Sequence, residues 1–230
     1  MLHWLRTNLE QIRSNINEAA YKSGRKPDDV KLIAVSKTVP METIKAAWEM
    51  GVTDFGENKV QELTEKFNEL PEAKWHLIGH LQKNKVKYIV DKVVLIHSLD
   101  SYPLAEEINK RAVARGKCLD VLIQVNVARE PTKFGLDLSE VDDFINAVKD
   151  LPGLAVKGLM TIAPFVGDPE AVRPVFRELK KKFDALKTME IPSAEMKYLS
   201  MGMSNDYRIA IEEGANLVRI GTRIFGERKK

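Results

Sequence analysis

A few short stretches of this sequence end in side chains able to do chemistry. Lys37 stands just past the apolar run Leu32-Ile33-Ala34-Val35. Partial desolvation at such a place favours a neutral, nucleophilic amine, the form that Schiff-base chemistry requires. A lysine snorkelling out of a strand end gives the same pattern, so position alone leaves both readings open. Near the other end of the chain lie Ser200-Met201-Gly202-Met203-Ser204 and Arg219-Ile220-Gly221-Thr222. Ser204 is read as the cap of a following helix whose exposed N–H groups bind an anion such as phosphate. Ordinary capping explains the serine equally well. Gly221 lets backbone approach an anion closely, and Thr222 adds a hydroxyl. Arg219 falls inside an apolar run, where a guanidinium must face a partner or a polar ligand.

Other polar groups recur at similar places. Gly56-Glu57-Asn58 offers a small residue and two polar ones, with Asn58 also placed to cap the next helix. His76 and His80 have the i, i+4 spacing of a zinc pair. However, Gly79 interrupts a helix there and no further ligand stands close by, so a metal site is set aside. His80 is expected at a pocket mouth and His76 against a neighbouring strand or helix. The polar segment Ala128–Gly135 is either a mobile cover or a plain loop, and Met160 is read as core.

Something must carry these groups to one place. Eight short apolar runs recur: 31–37, 54–58, 75–79, 93–100, 120–127, 156–162, 198–202 and 217–221. They have the length and content of buried parallel strands. Amphipathic stretches separate them: 40–50, 59–70, 84–92, 102–115, 139–150, 169–189 and 204–213, with a further helix at 2–23 closed by Gly24. This alternation implies a parallel sheet. The even spacing, and the lack of a glycine-rich turn after the first strand, favour a closed (β/α)₈ barrel over an open doubly wound sheet. In such a barrel the chemistry sits at the C-terminal strand ends, with a phosphate site after strands seven and eight.

The 230 residues suit one barrel, which needs roughly 200–250. The reading is one domain, 1–230, with residues 1–24 as a helix packed on the barrel. Lys and Arg number 36 against 33 Asp and Glu, a net +3 spread along the chain. That balance demands neither nucleic acid nor an anionic membrane. The basic end Arg228-Lys229-Lys230 is read as a solvated tail. The lone cysteine, Cys118, cannot form an intramolecular disulfide and is expected in the core. No signal peptide is read at Met1–Glu10, and no run approaches the ~20 apolar residues of a membrane span. A cytoplasmic protein is the expectation.

These residues resemble those of a known family, the pyridoxal phosphate homeostasis proteins (YggS/PROSC-like). The matching words are Ala34–Thr38, Phe55–Asn58 with Val60-Gln61-Glu62, Trp75–Gln82 with Asn84-Lys85, Gly158–Thr161, Leu199–Ser204 with Asp206, and Arg219–Thr222 with Phe225-Gly226. They span nearly the whole chain. The Trp-His and Ser-Met-Gly-Met-Ser segments are the specific ones. The resemblance implies fold-type III, a TIM barrel similar to the N-terminal domain of alanine racemase. It implies pyridoxal 5′-phosphate (PLP) as cofactor, in a Schiff base on Lys37. It also implies Ser204, Gly221 and Thr222 at the phosphate, Arg219 at the pyridine nitrogen and Asn58 near the ring. His80 and Met201 complete the candidate cofactor-binding set. One departure is Arg129, where the family often has a small residue.

The resemblance further implies a cofactor carrier in vitamin B6 balance with no established reaction. An arginine at the pyridine nitrogen weighs against most PLP reactions, since an unprotonated ring is a poorer electron sink, though racemisation tolerates it. Only four residues follow Gly226, too few for the β domain that closes racemase sites. Two rivals stand beside this reading: a small PLP-dependent amino-acid racemase, and a barrel enzyme for a phosphorylated sugar or amine without PLP. The expected partners are PLP and recipient PLP-dependent enzymes, and the expected state is a monomer. Lys83, Lys85 and Lys133 are conceivable second acceptors.

Overall fold

The computed structural model describes residues 2–189, 191 and 194–227. The tail Arg228–Lys230 lies outside them. Eight strands form a closed parallel barrel in chain order: β1 Lys31–Val35, β2 Asp54–Glu57, β3 Lys74–Leu77, β4 Val93–Leu99, β5 Leu119–Gln124, β6 Leu154–Met160, β7 Ala194–Ser200 and β8 Leu217–Ile220. The β1–β8 pairing that shuts the ring sets Ile33 beside Arg219.

Strand alternation divides the apolar residues between two cores. A small cluster of Ile33, Leu95, Leu122, Met160 and Leu217 fills the barrel. A larger one lies between strands and helices, with Phe55, Trp75 and Phe176 among its fully buried members. Phe55 and Trp75 meet at 5.5 Å between ring centroids. The helices are α1 His3–Lys22, α2 Met41–Glu49, α3 Val60–Glu69, α4 Tyr102–Val113, α5 Val141–Val148, α6 Arg173–Lys187, α7 Tyr207–Glu212 and α8 Thr222–Phe225. Leu5, Leu9, Ile12 and Ile16 give α1 its buried stripe, a helical spacing. It packs on α7 and α8, where Asn8 donates to the Ile224 carbonyl and Asn15 to the Tyr207 hydroxyl.

The structure corrects several local expectations. Residues 83–88 form only a 3₁₀ segment. The stretch 169–189 splits into a 3₁₀ turn and α6, because Pro174 belongs in the first turn of a helix. Cys118 is exposed, since it precedes β5 instead of starting it. Met160, expected as core, fills the barrel interior.

Candidate functional site

A cavity of about 740 Å³ opens at the C-terminal ends of the strands. Ligand pockets commonly fall near this size. Lys37, Asn58, His80, Ser204, Arg219, Gly221 and Thr222 all line it. Met201 does not: its side chain is fully buried in the outer core. The barrel therefore gathers residues up to 185 positions apart onto one rim.

Lys37 is half-buried two residues past β1, between neighbours that are fastened from below. The Ser36 hydroxyl donates to Glu57 Oε1 at 2.6 Å. The Lys66 ammonium donates to the Ser36 carbonyl (2.7 Å), Glu57 Oε1 (2.8 Å) and Glu62 Oε1 (2.7 Å). Thr38, at φ 62°, donates its amide to Glu62. Burial pushes the Glu57 carboxyl up, against the pull of Lys66. This ion cluster fixes the turn that presents Lys37.

Asn58 follows β2 and half-faces the cavity. It does not cap α3, whose cap position is Lys59. Gly79 explains its placement: a Cβ there would lie 2.4 Å from the Asn58 carbonyl oxygen. His80 sits exposed on the rim, stacked on Phe134 at 3.8 Å and 11°, with Asp100 at 3.3 Å. His76 lies deeper, inside the barrel against β2 and β4. The two histidines thus serve different surroundings, and among the described residues no group of three His, Cys, Asp or Glu could hold a metal.

On the far side, Ser204 departs from its expected role. Helix α7 begins at Tyr207, and Asp206 organises the preceding turn by accepting the Met203 amide at 2.6 Å. The Ser204 hydroxyl instead accepts from the Gly221 amide at 3.4 Å. Ser204, Gly221 and Thr222 therefore share one corner, where α8 starts. Gly202 makes the sharp entry to this corner, at φ 93° with Ala210 and Tyr207 packed close.

Arg219 forms the floor between the two sides and is 4% exposed. Its Nη1 donates to the Ser200 hydroxyl (2.5 Å) and its Nη2 to the Thr161 carbonyl (2.8 Å). Burial pushes its pKa down to about 10, with Asp206 pulling the other way. The guanidinium is charged at neutral pH, and its direct partners are neutral.

The strand-five loop folds toward the mouth. Gln124 donates to the Phe134 carbonyl, and Lys133 bonds Glu130 and the Ala163 carbonyl. Thr132, Lys133 and Phe134 line the cavity. Arg129 points away, at φ 52° with Asp137 3.7 Å distant. Lys83 lies in a neighbouring depression beside His80, and Lys85 lies near Tyr88. Sequence reasoning missed His97, Ser200 and Asp54, which lie buried inside the barrel beneath Arg219. A polar residue within each apolar strand was their only signal.

A lysine faces the Ser204, Gly221 and Thr222 corner across a buried arginine, on the rim of a (β/α)₈ barrel, and the class to which such a barrel belongs is given by its relatives. A profile of the family described as "Alanine racemase, N-terminal domain" matches residues 7–229. Among relatives, the pyridoxal phosphate homeostasis protein of Aquifex aeolicus is 46% identical over 223 residues, covering 96% of this chain and 97% of that one. The protein of the same name from Escherichia coli K12 is 41% identical over 229 residues, covering 96% and 95%. The structure of PipY from Synechococcus elongatus PCC7942 with PLP bound superposes with a TM-score of 0.83, at 32% identity, over 96% of this chain and all of PipY. The chain belongs to the family of pyridoxal phosphate homeostasis proteins.

Proposed function

We propose that this protein holds pyridoxal 5′-phosphate on Lys37 and serves PLP homeostasis as a carrier without turnover. The observation that carries the reading is the pairing of Lys37 with the Ser204, Gly221 and Thr222 corner across one cavity, with Arg219 between them. PipY with bound PLP and the names of the relatives support it. The residues present fit the group. Backbone amide and hydroxyl donors suit a phosphate dianion. Arg219 is a buried cation without a carboxylate contact, suited to an electron-rich ring nitrogen. The chemistry that PLP supplies is an aldehyde condensing reversibly with an amine, with release of one water.

This chain's own groups support holding in place of turnover. Arg219 donates and cannot accept, so a ring nitrogen facing it stays unprotonated, which weakens the electron sink that most PLP reactions need. Among the described residues His80 is the one histidine lining the cavity, and it is committed to Asp100 and Phe134 at the exposed rim. We extend the proposal to one PLP-binding domain over 1–230, acting as a cytoplasmic monomer that hands PLP to PLP-dependent enzymes. No described helix is long and apolar enough to cross a membrane.

The test adds PLP to the purified protein, reduces with borohydride and maps the labelled peptide. The expected label is on Lys37, with the visible band lost in Lys37→Ala and no α-proton exchange into amino acids. A label on another residue overturns the site; Lys37-dependent exchange shows a racemase.

A further inference from the structure

Beneath the cavity, five polar side chains interrupt the apolar filling of the barrel and touch in series. Arg219 Nη1 lies 2.5 Å from Ser200 Oγ. Ser200 Oγ lies 3.0 Å from His97 Nδ1. His97 Nε2 lies 3.1 Å from His76 Nδ1, and His76 Nε2 lies 3.0 Å from Asp54 Oδ1. All five are buried. Below them, Lys31 reaches to 3.5 Å from Asp54 and is partly exposed at the opposite end of the barrel.

The two ends dictate the protons in the middle. Asp54 is an anion that only accepts, its carboxyl held down to about 2: burial raises it, and the bonds from His76 and Thr53 with the nearby charges more than offset that. His76 Nε2 must therefore carry a hydrogen. Arg219 only donates, so Ser200 accepts from it and turns its own O–H toward His97 Nδ1. A neutral His97 then carries its hydrogen on Nε2 and donates to His76 Nδ1, which is bare. Starting from either end gives the same arrangement. Reversing one ring would set two hydrogens, or two lone pairs, against each other at 3.1 Å. Burial holds both rings below the ordinary histidine range, His97 the more so because His76 and Arg219 are near.

We propose that Ser200, His97, His76 and Asp54 form a one-directional positioning chain that locks the Arg219 guanidinium against the floor of the PLP site, with both histidines neutral and protonated at Nε2. The chain pins one terminal nitrogen while the Thr161 carbonyl pins the other, leaving a fixed edge for the cavity. The positioning role rests on the PLP reading; the proton arrangement does not.

Histidine ¹⁵N spectra of the protein without PLP test the arrangement at neutral pH. Both rings are expected as neutral Nε2–H tautomers, and an Nδ1–H tautomer or a charged ring overturns it. The Arg219 guanidinium ¹⁵N signals, again without PLP, are expected to move in Ser200→Ala and His97→Leu. In the loaded protein these two variants are expected to bind PLP roughly tenfold more weakly, the size of one bond to a charged group, and to shift the visible band. His97→Gln, whose amide both accepts and donates, is expected to restore most of both. Unchanged Arg219 signals, or PLP affinity equal in His97→Leu and the parent, overturn the positioning role. If the parent binds no PLP, the proposed function fails while the spectra still judge the chain.

Discussion

Two cations are buried on opposite sides of the same cavity, and they are treated differently. Lys66, behind β1 and β2, is met by two carboxylates and a carbonyl. Arg219, on β8, is met by a hydroxyl and a carbonyl. A buried charge that loses its partner is strongly destabilising, so Lys66 and Glu57 are bound to each other as structure. Arg219 keeps its charge with neutral partners, so its electrostatic demand is still directed at the cavity. The first cation builds the turn that presents Lys37; the second, in the proposed function, is held for a ligand.

The largest effect is expected where the pairing is closed. Lys66→Met strands Glu57, fully buried and with Oε2 already lacking a hydrogen-bond partner. Breaking such a pair costs about 3–5 kcal/mol, read as a lower midpoint in urea. Adding Glu57→Leu removes the stranded charge and is expected to recover most of the loss. A double variant as weak as the single would show that the cluster acts by shape alone.

The two sides also differ in the sign of their response to acid. His76 and His97 have folded pKa values below the ordinary 6.5. Below pH 6.5 the unfolded chain therefore binds more protons, and stability falls as pH falls. Each ring contributes up to about 1.4 kcal/mol per pH unit. Glu57 has its pKa raised above 4.5. Its folded form takes up protons first, so near and above pH 4.5 acidification favours the fold. Melts of the protein without PLP are expected to steepen between pH 6.5 and 5.5, and His97→Gln to flatten that slope. An unchanged slope in His97→Gln would remove His97 from the account.

Arg219→Met sharpens the contrast at smaller scale. It removes a cation without a carboxylate contact along with two hydrogen bonds, so it is expected to destabilise by less than half the loss in Lys66→Met. PLP affinity is expected to fall by about 10- to 100-fold, as for loss of a bond to a charged group. The paired readouts, a urea midpoint and a PLP titration, should separate the two cations.

The sequence exposes this division unevenly. The barrel was legible because eight apolar runs alternate with amphipathic stretches, and every observed strand overlaps its run. Lys37, Asn58, Ser204, Arg219 and the Gly221-Thr222 pair were legible because they stand at or beside strand C-termini, where the fold collects them. The support beneath them was not. Lys66 sits mid-helix in α3, where a lysine reads as surface, and only the packing of α3 against β2 reveals its burial. His97 and Ser200 are 103 positions apart, and pairing across a barrel interior has no local signal. Met201, buried outside the cavity lining, and the capping role read for Ser204 differ from expectation for a related reason. Their motif marked the right turn, but the way each side chain points is set by Gly202 and Asp206.

The smallest effect is expected at the strand-five loop, where no cation is buried. Phe134 is 54% exposed and covers the mouth by stacking on His80. Aromatic pairs contribute about 0.5–1.5 kcal/mol beyond their burial. In Phe134→Ala most of that loss falls on a surface contact, so the fold is expected to keep its stability within about 0.5 kcal/mol. The ring lines the cavity and stacks on His80, which belongs to neither the Lys66 cluster nor the Arg219 chain. Its removal should therefore leave the attachment site intact and ease the way out. PLP release is expected to quicken by roughly two- to tenfold with little change in the association rate, since changes at one interface fall mostly on dissociation. Stopped-flow exchange against an amine trap measures this. If release is unchanged, the stack at the rim plays no part in retention, and holding rests with the floor and the corner alone.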